Sequence, residues 1–429
     1  MNKRIKILVL LLLIIPMFIG CGVINKNADK NNNDGENEDQ INQDDNKDEE
    51  NNGQNNENDK EDEKDTITEL IKTMTLDEKI GQMVILGFEG DSLNEDVKSL
   101  INQYKVGGFI LFKRNVENSN QLLSLLNSLK ETNSDNKIPL FLAVDEEGGK
   151  VSRMPDELID LPNSNVVGES KNNEFAINLG RILGQQLQSF GFNLDFAPVL
   201  DVNSNPNNPV IGVRSLSSNP QVVGELGVEI MNGIKEKGII PVVKHFPGHG
   251  DTSVDSHLGL PKVNKDLSSL RQLELIPFKE AIENDVDTIM IAHILFPELD
   301  PNYPASLSER LVTDLLRKEM GYKGVVITDD LTMGAIKDNY SINDAAVKAI
   351  LAGGDIVLVC HEYENEITAI DSLKEAVVNG IITEERIDES VYRILKLKNK
   401  YKLEDRPVVS VDIETINNNI NKLLNTYMK

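Results

Sequence analysis

Residues 239–261 read IIPVVKHFPGHGDTSVDSHLGLP and hold three of the chain's five histidines. The apolar, β-branched left edge predicts a buried strand over 239–243, so Lys244 and His245 stand at that strand's carboxyl end. Beyond them Pro247, Gly248 and Gly250 interrupt regular structure and admit backbone angles that other residues resist. The segment through His257 is therefore expected to be an ordered excursion carrying two polar clusters, not a helix.

Working outward, the same alternation recurs from about residue 66 onward. Apolar runs at 83–86, 108–112, 140–144, 194–199, 239–243, 288–291, 324–328 and 355–359 read as eight strands. Helical patterns separate most of them, for example over 120–130 and 310–320, and two more follow at 384–402 and 417–424. Eight β-α units predict an α/β fold, a (β/α)8 TIM-like barrel forming a single catalytic domain over 66–429. An open doubly wound sheet alternates in the same way, but Gly87-Phe88-Glu89-Gly90 lacks the phosphate-loop fingerprint after its first strand. The polar residues decide between them. Asp145, Asp201, Lys244, His245, His293, Asp329 and His361 all fall at or just past strand carboxyl ends, where a barrel gathers its catalytic groups.

The first 65 residues are of another kind. A basic start, an apolar run over 7–19 and Gly20-Cys21 predict an export signal at 1–21, with Cys21 as the lipidated residue of a lipoprotein; secretion without lipid or an uncleaved anchor is the alternative. The run is too short for a confident membrane span. Residues 26–65 hold sixteen acidic residues against five lysines, so about eleven of the 26 net negative charges sit in a tether at 22–65. Such a segment buries too little to offset its chain entropy, and it reads as a self-repelling spacer. The overall acidity argues against nucleic acid as a partner. If Cys21 carries lipid, Cys360 has no disulfide mate, and its apolar surroundings mark it as a small core residue.

Three constellations can carry chemistry. Asp255 and His257 are two apart, close enough for the carboxylate to hold one imidazole nitrogen while the other meets substrate, which is a proton-transfer dyad. A loop in which both residues cap turns fits the same spacing. A metal site made of His249, Asp251, Asp255 and His257 is a further reading, though a glycine-rich loop holds ligands less rigidly than a helix does. Thr328-Asp329-Asp330 sets two carboxylates on a strand end. Alternation turns one of them into the mouth, expected to be Asp329 as an ionised nucleophile near Lys244 and Arg214, with Asp330 as its structural partner. The runs DEEGGKVSRM, from Asp145, and NPVIGVRS, from Asn208, combine acids, glycine and arginine in a manner suited to a hydroxyl-rich ligand or to plain surface turns.

Over about residues 70–403 these motifs resemble glycoside hydrolase family 3, in its β-N-acetylglucosaminidase branch. GGFILF, DEEGGKVSRM, FAPVLDV, NPVIGVRS, KHFPGHGDTSVDSH, AHILFPELD, PASLS and GVVITDDLTM occur in the family's order. The resemblance implies Asp329 as the nucleophile that forms a covalent glycosyl-enzyme, and His257 assisted by Asp255 as the general acid/base. It implies that Asp145, Arg153, Arg214, Lys244, His245 and His293 hold the terminal sugar, and that no metal or organic cofactor is needed. The implied partner is an N-acetylglucosamine-containing glycan, with a membrane reached through the lipid anchor on the outer face. Family β-glucosidases resemble two-domain proteins whose acid/base comes from the second domain, so the single-domain plan favours N-acetylhexosaminides. A phosphorylase using phosphate as acceptor, and a silent barrel that only binds glycan, are the remaining alternatives.

Overall fold

The computed structural model describes residue 64 and residues 66–428. The expected export signal, Cys21 and all of the acidic stretch at 22–65 except Lys64 lie outside the described residues. Eight parallel strands close into a barrel in chain order: β1 (Val84–Leu86), β2 (Gly108–Leu111), β3 (Phe141–Val144), β4 (Leu194–Asp195), β5 (Ile240–Phe246), β6 (Thr288–Ile291), β7 (Val325–Asp330) and β8 (Ile356–Val359). β8 pairs back onto β1 with Val84 opposite Val357 and Ile85 opposite Leu358. Each strand is buried except at Asp329 of β7, because helices cover the outside and side chains fill the inside, so the runs read as continuously apolar instead of alternating.

All eight predicted runs are strands, and the differences in length have local causes. The run at 194–199 pairs as a ladder only over Leu194–Asp195, because Pro198 has no N–H to give; pairing resumes as a single bridge between Val199 and Lys244. β5 does not end at Val243 as expected, but carries Lys244, His245 and Phe246 within the strand, past a register shift against β6. β7 likewise continues to Asp330 past a shift against β8. Both extensions bring charged groups inside the ladder, next to the barrel mouth.

The helices follow their predicted faces. The pattern at 120–130 becomes Ser119–Thr132, with the Asn118 side chain accepting from the Gln121 amide. The pattern at 310–320 is Arg310–Glu319, wound as a π-helix. The closing patterns become Glu384–Lys400 and Ile413–Tyr427, and Tyr427 stacks on Phe175 at 4.8 Å between ring centroids.

Two buried ionisable side chains fasten the helix Glu384–Lys400 beneath the barrel. Asp355, wholly enclosed just before β8, accepts from Arg317 at 2.6 Å, Arg393 at 2.9 Å, Ser390 at 2.8 Å and the Val326 amide at 3.0 Å. The Lys398 amine meets Gln82 Oε1 at 2.8 Å and the carbonyls of Gly107 at 3.0 Å and Pro139 at 2.7 Å, above the face of Phe141. Lys398→Met strands these acceptors in a dry site and is expected to cost about 2 kcal/mol or more. Burial lowers the Lys398 pKa from 10.5 to about 7. Unfolding therefore takes up a proton across that window, and the lysine's contribution becomes more favourable as pH rises through it. Thermal melts should show the wild-type advantage over Lys398→Met widening between pH about 7 and about 9. A constant or narrowing gap contradicts this role.

Candidate active site

The carboxyl ends of the strands open into a cleft of about 1000 Å³. Asp145 reaches it from the end of β3, Lys244 and His245 from β5, and Asp329 from β7. Arg153 and Arg214 enter from the loops after β3 and β4, and His257 from the excursion after β5. Seven of the nine residues expected at the site therefore share one cleft.

On one wall the charges interlock. Lys244 Nζ lies 2.5 Å from Asp145 Oδ1 and 2.7 Å from Glu147 Oε1, and Arg214 grips Glu147 with two parallel bonds of 2.8 and 2.7 Å. The Lys244 and Glu147 side chains are only 2% and 3% exposed, so each charge depends on the others for stabilisation. Burial opposes the charge on Glu147, and Arg214 and Lys244 outweigh it, holding the carboxyl far below the usual range. Burial likewise works against the Lys244 ammonium, and Asp145 and Glu147 more than restore it. The result is a rigid set of paired charges, of which Asp145, Lys244 and Arg214 reach the cleft surface while Glu147 lies behind them.

Beside it, Asp201 is fully buried and organises the root of the excursion. Its carboxylate holds His245 Nδ1 at 2.6 Å and accepts from the His249 amide at 2.6 Å, so the remaining polar edge of His245 is Nε2. Burial, with His245 close by, lowers the His249 pKa to about 4, which keeps that ring neutral. Its Nδ1 meets Thr252 Oγ1 at 2.8 Å and its Nε2 meets Ser256 Oγ at 3.3 Å. The Asn208 amide donates to the carbonyls of His249 and Gly250 at 2.8 and 3.1 Å. Gly250 is required here because a Cβ would lie 1.7 Å from the Val202 carbonyl. With both His249 nitrogens engaged and Asp251 paired to Lys265 at 3.2 Å, these residues do not present a ligand set; among the described residues no three His, Cys, Asp or Glu side chains converge in that way.

Asp329 faces the cleft, and its Oδ1 accepts from the Asp330 amide at 2.9 Å. Burial works against its ionisation, but His293, His245, that amide and His257 together lower its pKa below the ordinary value. The Asp330 carboxylate turns away to Thr332 and to the Cys360 amide at 3.0 Å, the structural role expected of it.

Two expectations need correction. His293 is not a wall of the cleft. It is fully enclosed, with Nδ1 on Ser306 Oγ at 2.7 Å and Nε2 donating to the Asp330 carbonyl at 2.9 Å, so it supports β7 from beneath. The Asp255 carboxylate accepts from the backbone amide of His257 at 2.9 Å, so its bond goes to the main chain of a turn and not to the imidazole.

Sequence reasoning passed over Glu147, although its position two residues after Asp145 and just before a glycine pair was the available signal. It also passed over the cleft wall formed by Glu89, Phe112, Lys337 and Glu362, where the His361 and Phe112 rings lie tilted by 31° with centroids 5.7 Å apart. Glu362 has φ of 69°, a left-handed backbone angle that only the three-dimensional structure exposes.

A closed parallel barrel with an ionised carboxylate and an imidazole on one polar cleft is compatible with enzymes that act on glycosidic bonds, although the fold alone serves many chemistries. The chain is a member of glycoside hydrolase family 3: the profile of the Glycosyl hydrolase family 3 N terminal domain matches residues 75–397. It is 37% identical over 367 residues to Beta-hexosaminidase A of Pseudoalteromonas piscicida, covering 76% of this chain but 61% of that protein, less than two thirds of its length. It is 35% identical over 297 residues to a Beta-hexosaminidase of Nitrosomonas eutropha, covering 68% of this chain and 84% of the other. The solved structure of a family 3 beta-N-acetylglucosaminidase from Paenibacillus sp. matches with a TM-score of 0.78 at 40% identity, covering 82% of this chain and 68% of the other.

Behind the ionic wall lies a second pair of acids. Glu146 is buried, its amide donates to Asp195 Oδ1 at 3.0 Å, and its Oε2 accepts from the Arg153 amide at 2.8 Å. Burial raises the Glu146 pKa from 4.5 to about 7. A carboxyl raised in this way contributes stability that is full below the unfolded value and is lost as pH rises through the folded one. Wild-type Tm should therefore fall relative to Glu146→Gln between pH 4.5 and about 7. A gap that does not change with pH over this window contradicts the assignment.

Proposed function

We propose that this protein is an exo-acting, retaining β-N-acetylglucosaminidase that removes terminal N-acetyl-β-D-glucosamine from peptidoglycan fragments or related glycans. The observation that carries the reading is Asp329: a half-buried carboxylate at the barrel mouth, held ionised, in one cleft with a wall of paired charges suited to sugar hydroxyls. The beta-hexosaminidase relatives support the N-acetylhexosaminide class.

In the first displacement the Asp329 carboxylate attacks the anomeric carbon. The bond to the leaving oxygen breaks, and that oxygen takes the proton of the His257 imidazolium. In the second, neutral His257 removes a proton from water, the resulting hydroxide equivalent attacks the same carbon, and the Asp329 carboxylate departs. Two inversions retain the configuration. Asp145, Lys244, Arg153 and Arg214 would hold the sugar hydroxyls, and His245, oriented by Asp201, would join them. Asp255 acts in this scheme by shaping the turn that carries His257. The export signal and Cys21 would anchor the enzyme on the outer face of a membrane, the acidic tether letting the barrel reach wall glycans.

An imidazole as acid/base favours one further acceptor. A carboxylate in that position would repel an incoming anion, and His257 does not, so phosphate can compete with water.

Chromophore release from an aryl N-acetyl-β-glucosaminide tests the proposal. Asp329→Asn should lower kcat/KM by about a thousandfold or more with the fold intact. Activity within about tenfold of wild type removes the nucleophile assignment. Appearance of a sugar 1-phosphate when phosphate is added would make the second reading the correct one.

A further inference from the structure

We propose that Gly334 and Ala335, on the short helix Gly334–Lys337 that follows β7, are the seat that positions the His257 excursion over Asp329. The proposal rests on the reading of His257 as the proton carrier and adds what holds it in place. The excursion is tied down at its root by Asp201 and Asn208, but its far end has few anchors: His257 is exposed and the next residue, Leu258, is 81% exposed. Contact with the β7 side is made by main chain. The Ala335 amide donates to the Ser256 carbonyl at 3.0 Å. Immediately beside it, the His257 carbonyl packs so closely on Gly334 that a Cβ there would lie 2.6 Å from the oxygen and 3.2 Å from the carbonyl carbon.

The glycine is needed for space and not for its backbone angle, since Gly334 is not among the glycines with positive φ. Any side chain at 334 must push back the backbone of the residue that carries the proton. The base of the seat cannot yield easily. Leading into it, Asp330 is fixed by Thr332 and by the Cys360 amide, and the Met333 amide donates to the Asp330 carbonyl at 3.1 Å. Asp329 and the seat are thus successive parts of one braced segment, so the distance between nucleophile and proton carrier is referred to a single strand end. On the opposite side Ser256, itself buried, meets His249 Nε2 at 3.3 Å, so the carbonyl that accepts from Ala335 belongs to a residue clamped from both sides.

A positioning role of this kind is separable from general damage, because a displaced proton carrier matters most when the leaving group is poor. The test measures kcat/KM for aryl N-acetyl-β-glucosaminides from dinitrophenyl to unsubstituted phenyl, in wild type, His257→Ala and Gly334→Ala. Gly334→Ala is expected to lose about tenfold or more on the phenyl substrate while staying within about threefold on the dinitrophenyl one. Azide should accelerate its turnover of the latter by replacing water in the second displacement. Uniform loss across the series, or no loss, overturns the proposal. His257→Ala separates the two levels: if it shows no dependence on leaving group, the reading of His257 fails, and if it shows one while Gly334→Ala does not, the seat alone fails. Should Gly334→Ala not fold, Ala335→Pro removes the amide that reaches Ser256 at a first-turn position that tolerates proline, and it must give the same pattern.

Discussion

The pairing of Lys244 with Asp145 and Glu147, and of Glu147 with Arg214, is the interaction on which the site depends. An ammonium inside a β-strand, almost without solvent, is strongly destabilised unless acids meet it, and the acids in turn need the guanidinium. These contacts draw together β5, the loop that leaves β3 and the loop after β4. They explain why β5 extends past Val243: its charged residues are satisfied sideways, so the ladder need not stop where the apolar run stops. Removing any one partner leaves an uncompensated charge on the floor of the cleft.

Around that wall the proposed mechanism is divided between rigid and adjustable parts. Asp329 sits on a strand braced by the Asp330 carboxylate and, from below, by His293. His257 rides on an excursion that is fixed at its root, packs against the β7 side through main chain, and is otherwise open to solvent. Such a division suits the proposed double displacement, in which the nucleophile would keep its line to one carbon while the proton carrier would serve first a leaving oxygen and then a water.

The barrel was legible in the sequence because strands buried on both faces must be apolar throughout, and eight such runs separated by helical patterns leave few architectures. Strand lengths were less legible: charges at 244–245 and 329–330 read as ends, and only their tertiary partners keep them in the ladder. Most of the site was legible for a related reason, since polar residues at strand ends converge once the barrel closes. What was hidden depended on distant pairing. Glu147 acquires its role from Arg214, 67 positions away, and His293 is turned beneath the mouth by Ser306 and the Asp330 carbonyl. Spacing alone also could not tell whether Asp255 would bond the ring of His257 or its amide.

The central claim is that Asp329 becomes covalently linked to the sugar. Intact-mass analysis of His257→Ala quenched during turnover of a dinitrophenyl N-acetyl-β-glucosaminide, followed by peptide mapping, addresses it directly. The account predicts one added N-acetylhexosaminyl residue on the peptide that contains Asp329, absent when Asp329 is replaced by Asn. An adduct on another carboxylate, or turnover with inversion of configuration, would contradict it.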